Sequence, residues 1–116
     1  MMDLREGEVM SATTPTIPGY DVTKVLGIVS GMTARTRGVT GKILGGIESF
    51  LGGEVSSFTM EQEKAREEAL ERLTRSARGL GANAVVGVDF ETTEVFDFVV
   101  LVTALGTAVS VVSEGE

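Results

Sequence analysis

Histidine, cysteine and tryptophan are all absent from this chain, and tyrosine occurs once. Without cysteine there are no disulfides and no thiolate chemistry. Without histidine the commonest general base and the commonest metal ligand are both missing. The core must be built from Val, Leu, Ile, Ala and five Phe. Basic residues are scarce too: ten Lys and Arg against seventeen Asp and Glu leave a net charge of −7. Nucleic-acid binding depends on cationic side chains displacing counterions from phosphate, so this balance argues against it. It argues equally against an anionic membrane surface. Arg35, Arg37 and Lys42 come nearest to a basic patch. Long apolar runs are lacking as well. Met1 to Glu8 carries Asp3, Glu6 and Glu8 and no apolar core of a secretory signal. No stretch reaches the roughly 20 apolar residues of a membrane span. The expected compartment is the cytoplasm.

What is present fits one globular domain. The 116 residues suffice for a single core, and 42% hydrophobic with 23% charged residues is a folded composition. Residues 1–10 read as a flexible acidic lead-in and 11–116 as one domain. Ser11 to Pro18 is β-prone but broken by Pro15 and Pro18, so an edge strand or extended arm is expected. After a turn at Gly19 to Asp21, Val22 to Thr36 reads as a strand, with Gly27 and Gly31 marking a bulge or a close backbone approach. In Thr40 to Leu51 the period changes: Ile43, Leu44, Ile47, Phe50 and Leu51 share one helical face, and Gly52-Gly53 ends it. A second helix begins at a capping box, Thr59 to Gln62. Its Ala65, Ala69, Leu73 and Ala77 form a stripe of mostly small side chains, suited to close packing. Glu68–Arg72 and Glu71–Arg75 are i,i+4 pairs, and Gly79 or Gly81 closes the helix in the left-handed position.

Ala84 to Glu91 then alternates as a strand, Thr92 to Val95 reads as a turn, and Phe96 to Leu105 as a strand apolar on both faces. Gly106 allows a bend before a last short strand, Thr107 to Val112. The expected fold is α+β in the order β-β-α-α-β-β, a small antiparallel or mixed sheet with two consecutive helices on one face. A sheet covered on one side should show water a polar second face, and Phe96 to Leu105 does not. Either that face is an interface with further copies of the chain, or the first helix covers it.

Several resemblances to catalytic motifs fail on inspection. Gly38 to Ile43 resembles the end of a phosphate-binding loop, but Thr36 and Ile43 stand where the pattern requires Gly and Ser or Thr. Gly79 to Ala84 spells G-x-G-x-x-A with a helix before it and a strand after it, the reverse of dinucleotide sites, and reads as a helix cap. Ser30, Ser49, Ser56 and Ser57 have no clear activating partner. Carboxylates gather in sequence at Glu48, Glu54, Glu61 and Glu63, and Asp89 shares a strand face with Glu91. Oxygen ligands alone favour hard ions such as Ca²⁺ or Mg²⁺, and solvated surface charge is the simpler reading.

Taken together, Thr13-Thr14-Pro15, Gly27 to Gly31, Gly52-Gly53, Lys64 to Ala69, Gly81 to Gly87 and Gly106 to Val109 resemble the YbjQ-like family, also labelled a putative heavy-metal-binding domain. The resemblance spans residues 11–109. It implies a dodecin-like α+β subunit in a homopentameric ring, and it brings no particular activity. Phe58 stands where that family commonly has Tyr and Met32 where it commonly has Glu, so no metal-binding or catalytic residue carries over. A heavy-metal role also lacks the soft ligands Cys and His. The expectation is a homo-oligomeric binding or scaffold protein without catalysis or cofactor. One alternative is cation binding by carboxylates at subunit junctions. Another is an enzyme whose site forms only at an interface, from Glu48, Glu54, Asp89 or Arg35.

Overall fold

The computed structural model describes residues 8–36, 54–96 and 99–115. Strand β1 is Met10–Ser11, β2 Tyr20–Thr36, helix α1 Glu54–Gly79, β3 Ala84–Phe96 and β4 Val99–Ser113. The strands form one mixed sheet in the order β1-β3-β4-β2, with β1 parallel to β3 and the other pairs antiparallel. As Pro15 and Pro18 require, the first segment stays at the sheet's edge and pairs only briefly. The Met10 and Ala12 amides donate to Asn83 and Val85 at 3.0 Å each, and Thr14 O accepts from Gly87 N at 2.9 Å.

The expected β-β-α-α-β-β order with two consecutive helices is corrected to β-β-α-β-β, with one helix among the described residues. The helix expected over 40–51 lies outside them. Helix α1 starts at Glu54, directly after Gly52-Gly53, so Thr59 lies within the helix rather than at its cap. An acidic residue at the start suits the helix dipole. The structure is of one chain, so the dodecin-like ring is no part of it.

Two boundaries of the strand reading also change. Thr92 to Val95 is no turn; it continues β3, with Thr92 opposite Val102 and Thr93 opposite Leu101. Two threonines and a valine without Gly or Pro suit an extended chain better than a turn. Gly106 makes no bend either, and β4 runs through it. A Cβ there would lie 2.6 Å from Val85 Cγ1, so the glycine admits a side chain of the neighbouring strand. Both expected roles of the β2 glycines are filled: the register shifts at Gly27, and Gly31 is a close approach.

The small-residue stripe explains how α1 packs. Ala65, Ala69, Leu73 and Ala77 are fully buried, against Val29, Val85, Val100, Val102, Ala104 and Ala108. Short side chains let the helix backbone come down onto β2. A Cβ on Gly31 would sit 2.9 Å from the Arg72 carbonyl carbon, and closer still to Ala69 O and Leu73 N. At one end the sheet's opposite face is covered by the N-terminal arm, where Ile17 packs with Ala84, Val86, Val109 and Val111.

Helix α1 ends as Gly81 predicts. That residue is left-handed (φ 84°), with Gly81 N donating to Arg78 O at 2.9 Å and Ala82 N to Ala77 O at 3.1 Å. This paired closure satisfies carbonyls that the last helical turn leaves open. Asn83 follows and acts as a strand residue through its side chain. Its Nδ2 donates to Val111 O at 2.9 Å, and its Oδ1 accepts from Val111 N at 2.8 Å. The run from Gly79 to Gly87 is thus a cap, a side-chain bridge and a bulge at Gly87 (φ 63°). None of the described helices is long and apolar enough to cross a membrane.

Candidate functional site

The close approach at Gly31 positions the densest polar cluster described. Alternation along β2 puts Thr33 and Arg35 on the same face as Gly31, toward α1. On the helix, Glu68 and Arg72 are one turn apart beside the buried stripe. Thr33 Oγ1, on a residue only 3% exposed, donates to Glu68 Oε1. Arg35 Nη2 meets Glu68 Oε2 at 2.9 Å, and Arg72 Nη2 meets Glu68 Oε1 at 3.1 Å. Arg72 Nη1 also donates to Met32 O at 2.6 Å. The Thr33 hydroxyl, with the Arg35 and Arg72 charges behind it, holds the Glu68 carboxyl below its ordinary range against the opposing effect of burial.

A carboxylate held this way is a poor proton donor or acceptor near neutral pH. Its chemistry is that of a tie between helix and strand. The Glu68–Arg72 and Glu71–Arg75 pairs read from spacing are both formed, the latter at 2.8 Å. Their connection to Thr33 and Arg35 is not encoded in spacing, because it depends on which residues of α1 lie over which residues of β2. The available signal was the two-residue alternation of Gly31, Thr33 and Arg35.

The second feature is the sheet face turned away from α1. Val100, Val102 and Ala104 of β4 are buried beneath the helix, whereas Val99 and Leu101 are half-buried and Leu105 is 43% exposed. Beside them on β2, Ile28 is 80% and Met32 50% exposed. Register sets Leu105 opposite Ser30, Thr103 opposite Met32 and Leu101 opposite Ala34, so these side chains share one face. This is the doubly apolar strand that alternation predicts, with one side covered and the other open. Asp89 and Glu91 of β3 are exposed at its border, opposite Leu105 and Thr103.

Among the described residues, the remaining sequence candidates do not converge. Arg37, Lys42, Glu48 and Ser49 lie outside the described residues, as do the side chains of Glu54, Ser56, Ser57 and Glu61. Glu63 is exposed on α1 and Ser30 on β2. Asp89 Oδ1 accepts from the Phe90 amide at 3.0 Å. Arg35 is engaged with Glu68.

A family model described as "putative heavy-metal-binding" matches residues 9–112. The chain belongs to this YbjQ-like family. A UPF0145 protein of Saccharolobus islandicus is 43% identical over 110 residues, covering 95% of this chain and 96% of its own. Another, from Streptomyces griseus, is 42% identical over 89% of this chain and 85% of its own. The crystal structure of a DUF74-family protein from Pediococcus pentosaceus superposes with a TM-score of 0.64 at 15% identity, covering 90% of this chain and 98% of that one. That likeness concerns the fold alone. The heavy-metal description does not fit the side chains of this YbjQ-like member. Soft heavy ions take thiolate and imidazole ligands, and the chain has neither. Among the described residues no three acidic side chains gather around one point.

Proposed function

We propose that this chain is the subunit of a cytosolic homo-oligomer, a pentamer, that serves as a binding or scaffold protein without catalysis. The observation that carries the reading is the open apolar face of Ile28, Met32, Leu101 and Leu105. Contiguous apolar surface of this kind marks an interaction site on a soluble protein. Burying a side chain such as Ile28 is worth about 2 kcal/mol, and every copy contributes several. The non-catalytic part of the reading is supported by the missing histidine and cysteine and by the fixed ionisation of Glu68.

Native mass spectrometry tests the assembly. The expected species has five times the 12.2 kDa protomer mass. Ile28→Lys leaves the protomer fold intact, because the side chain is mostly outside, and shifts the population toward monomer. A wild-type protein that is monomeric at micromolar concentration ends the proposal. A discrete multimer of another number keeps the assembly and rejects the pentamer.

A further inference from the structure

The open apolar face has an acidic border along one side. Ile28, Met32, Leu101 and Leu105 lie on it, and Asp89 and Glu91 of β3 flank them, opposite Leu105 and Thr103. In a closed ring the same contact repeats from copy to copy, so a surface of one kind must meet a surface of another kind. An apolar face packed on its own counterpart closes at two copies instead. The outer side of α1 does not suit the face either, because Lys64, Glu67, Glu71 and Arg75 are exposed there. A further apolar stretch is present in the sequence. Residues 37–53, outside the described residues, link β2 to α1 and hold Ile43, Leu44, Ile47, Phe50 and Leu51 at helical spacing. Arg37 and Lys42 precede them against Glu48 alone, a net positive stretch in a chain of net charge −7.

Where that stretch joins α1 decides which copy's face it can reach. Helix α1 runs back along β2: Leu80 lies by Gly27, Ala69 and Leu73 lie over Gly31, and Glu68 meets Thr33 and Arg35. From Glu68 back to Glu54 the helix covers about 21 Å, at a rise of about 1.5 Å per residue. From Thr33 to its end at Thr36 the strand covers only about 10 Å. Glu54 therefore stands roughly 10 Å past the end of β2, on the covered side of the sheet. Leu105, opposite Ser30, is about 20 Å back along β2 from Thr36, and a layer on its face is about 20 Å from α1 across the sheet. That separation exceeds roughly 30 Å, whereas Leu51 can be no farther than about 11 Å from Glu54 at about 3.8 Å per residue. Phe50 and Leu51 thus cannot cover Leu105 of their own chain. Their tether to Glu54 keeps them near the end of β2, within reach of a neighbouring copy's face.

We infer that the 37–53 segment of one copy lies on the open sheet face of the next, Ile43 to Leu51 against Ile28, Met32, Leu101 and Leu105, with Arg37 and Lys42 toward Asp89 and Glu91. An apolar stripe at helical spacing laid on an apolar surface, with opposite charges at the rim, is a recurrent mode of recognition. This rests on the homo-oligomer proposed above and names the part of the partner that fills its apolar face.

The chain has no cysteine of its own, so crosslinks can be placed without competition. Ile28→Cys and Phe50→Cys are made as separate proteins, each first shown to melt cooperatively, then mixed and treated with a short bis-maleimide. The expected product is a covalent dimer containing one of each, identified by mass, in at least tenfold excess over either variant joined to itself. Phe50→Lys gives a readout without crosslinking: the assembled fraction in light scattering is expected to fall at least tenfold in a protein that still melts cooperatively. A multimer that yields no mixed dimer, that crosslinks only between two Ile28→Cys chains, that crosslinks only within one chain carrying both changes, or that keeps its mass with Phe50→Lys overturns the inference and leaves the oligomer standing. A monomeric wild type removes both.

Discussion

Replacing Gly31 by alanine is the sharpest perturbation of this fold. The added methyl meets helix backbone at three points: the Arg72 carbonyl carbon at 2.9 Å, and Ala69 O and Leu73 N closer still. Carbon atoms in good contact lie about 3.5–4.0 Å apart, so α1 has to withdraw by roughly 1 Å. Overpacking a core costs about 1–3 kcal/mol when side chains can adjust. Here the obstruction is backbone, held by the fully buried Ala69 and Leu73, so the cost belongs at the top of that range, about 3 kcal/mol. For a domain near 100 residues each kcal/mol lowers Tm by about 4–8 °C, which predicts a drop of about 12–24 °C. Urea and thermal unfolding at one fixed protein concentration measure it, since assembly makes Tm depend on concentration. Gly79→Ala is the control. Nothing lies within 4 Å of its added methyl and its φ is ordinary, so it stays neutral or gains about 0.4–1 kcal/mol. A Gly31→Ala protein within 1 kcal/mol of wild type refutes the idea that backbone contact seats the helix.

Three further outcomes are expected. Asn83→Ala removes both side-chain hydrogen bonds to Val111 and leaves that residue's amide and carbonyl unpaired in a half-buried position, costing about 2–3 kcal/mol by urea unfolding. Asn83→Asp keeps the acceptor, loses the donor and falls between. For Glu68, the folded carboxyl titrates below its usual 4.5, so its contribution to stability is complete above that pH and is lost as pH falls through the lower folded value. The stability gap between wild type and Glu68→Gln should therefore be widest near neutrality and close on acidification; a gap that is flat with pH contradicts the tie. Gly106→Ala, whose methyl would press on Val85 Cγ1 at 2.6 Å and meet Val86 O at 3.2 Å, should cost about 1–3 kcal/mol, because the adjoining strand leaves it no room.

Local chemistry was legible from the residues. The alternating strands, the four-residue spacing of Ala65, Ala69, Leu73 and Ala77, the two i,i+4 ion pairs and the left-handed closure at Gly81 all follow from near-neighbour geometry. The YbjQ-like resemblance was legible as well. Boundaries were less so. The turn expected at Thr92 to Val95 is instead extended, because cross-strand pairing with Val100 to Val102 holds it in the sheet. A glycine at 106 permits a bend, yet what it provides is room for Val85.

The sequence by itself determined most of the extended segments, that residues 65–77 coil, how α1 stops, and that β4 has two apolar sides, since each depends on residues no more than a few positions apart. Only the tertiary structure decided that α1 rests on Gly31, that Thr33 and Arg35 reach Glu68 more than thirty residues away, and which apolar side of β4 is left open. Those outcomes depend on how a helix is placed over a sheet. That placement is chosen by packing, through the absence of a single Cβ, and no periodicity in the chain encodes it.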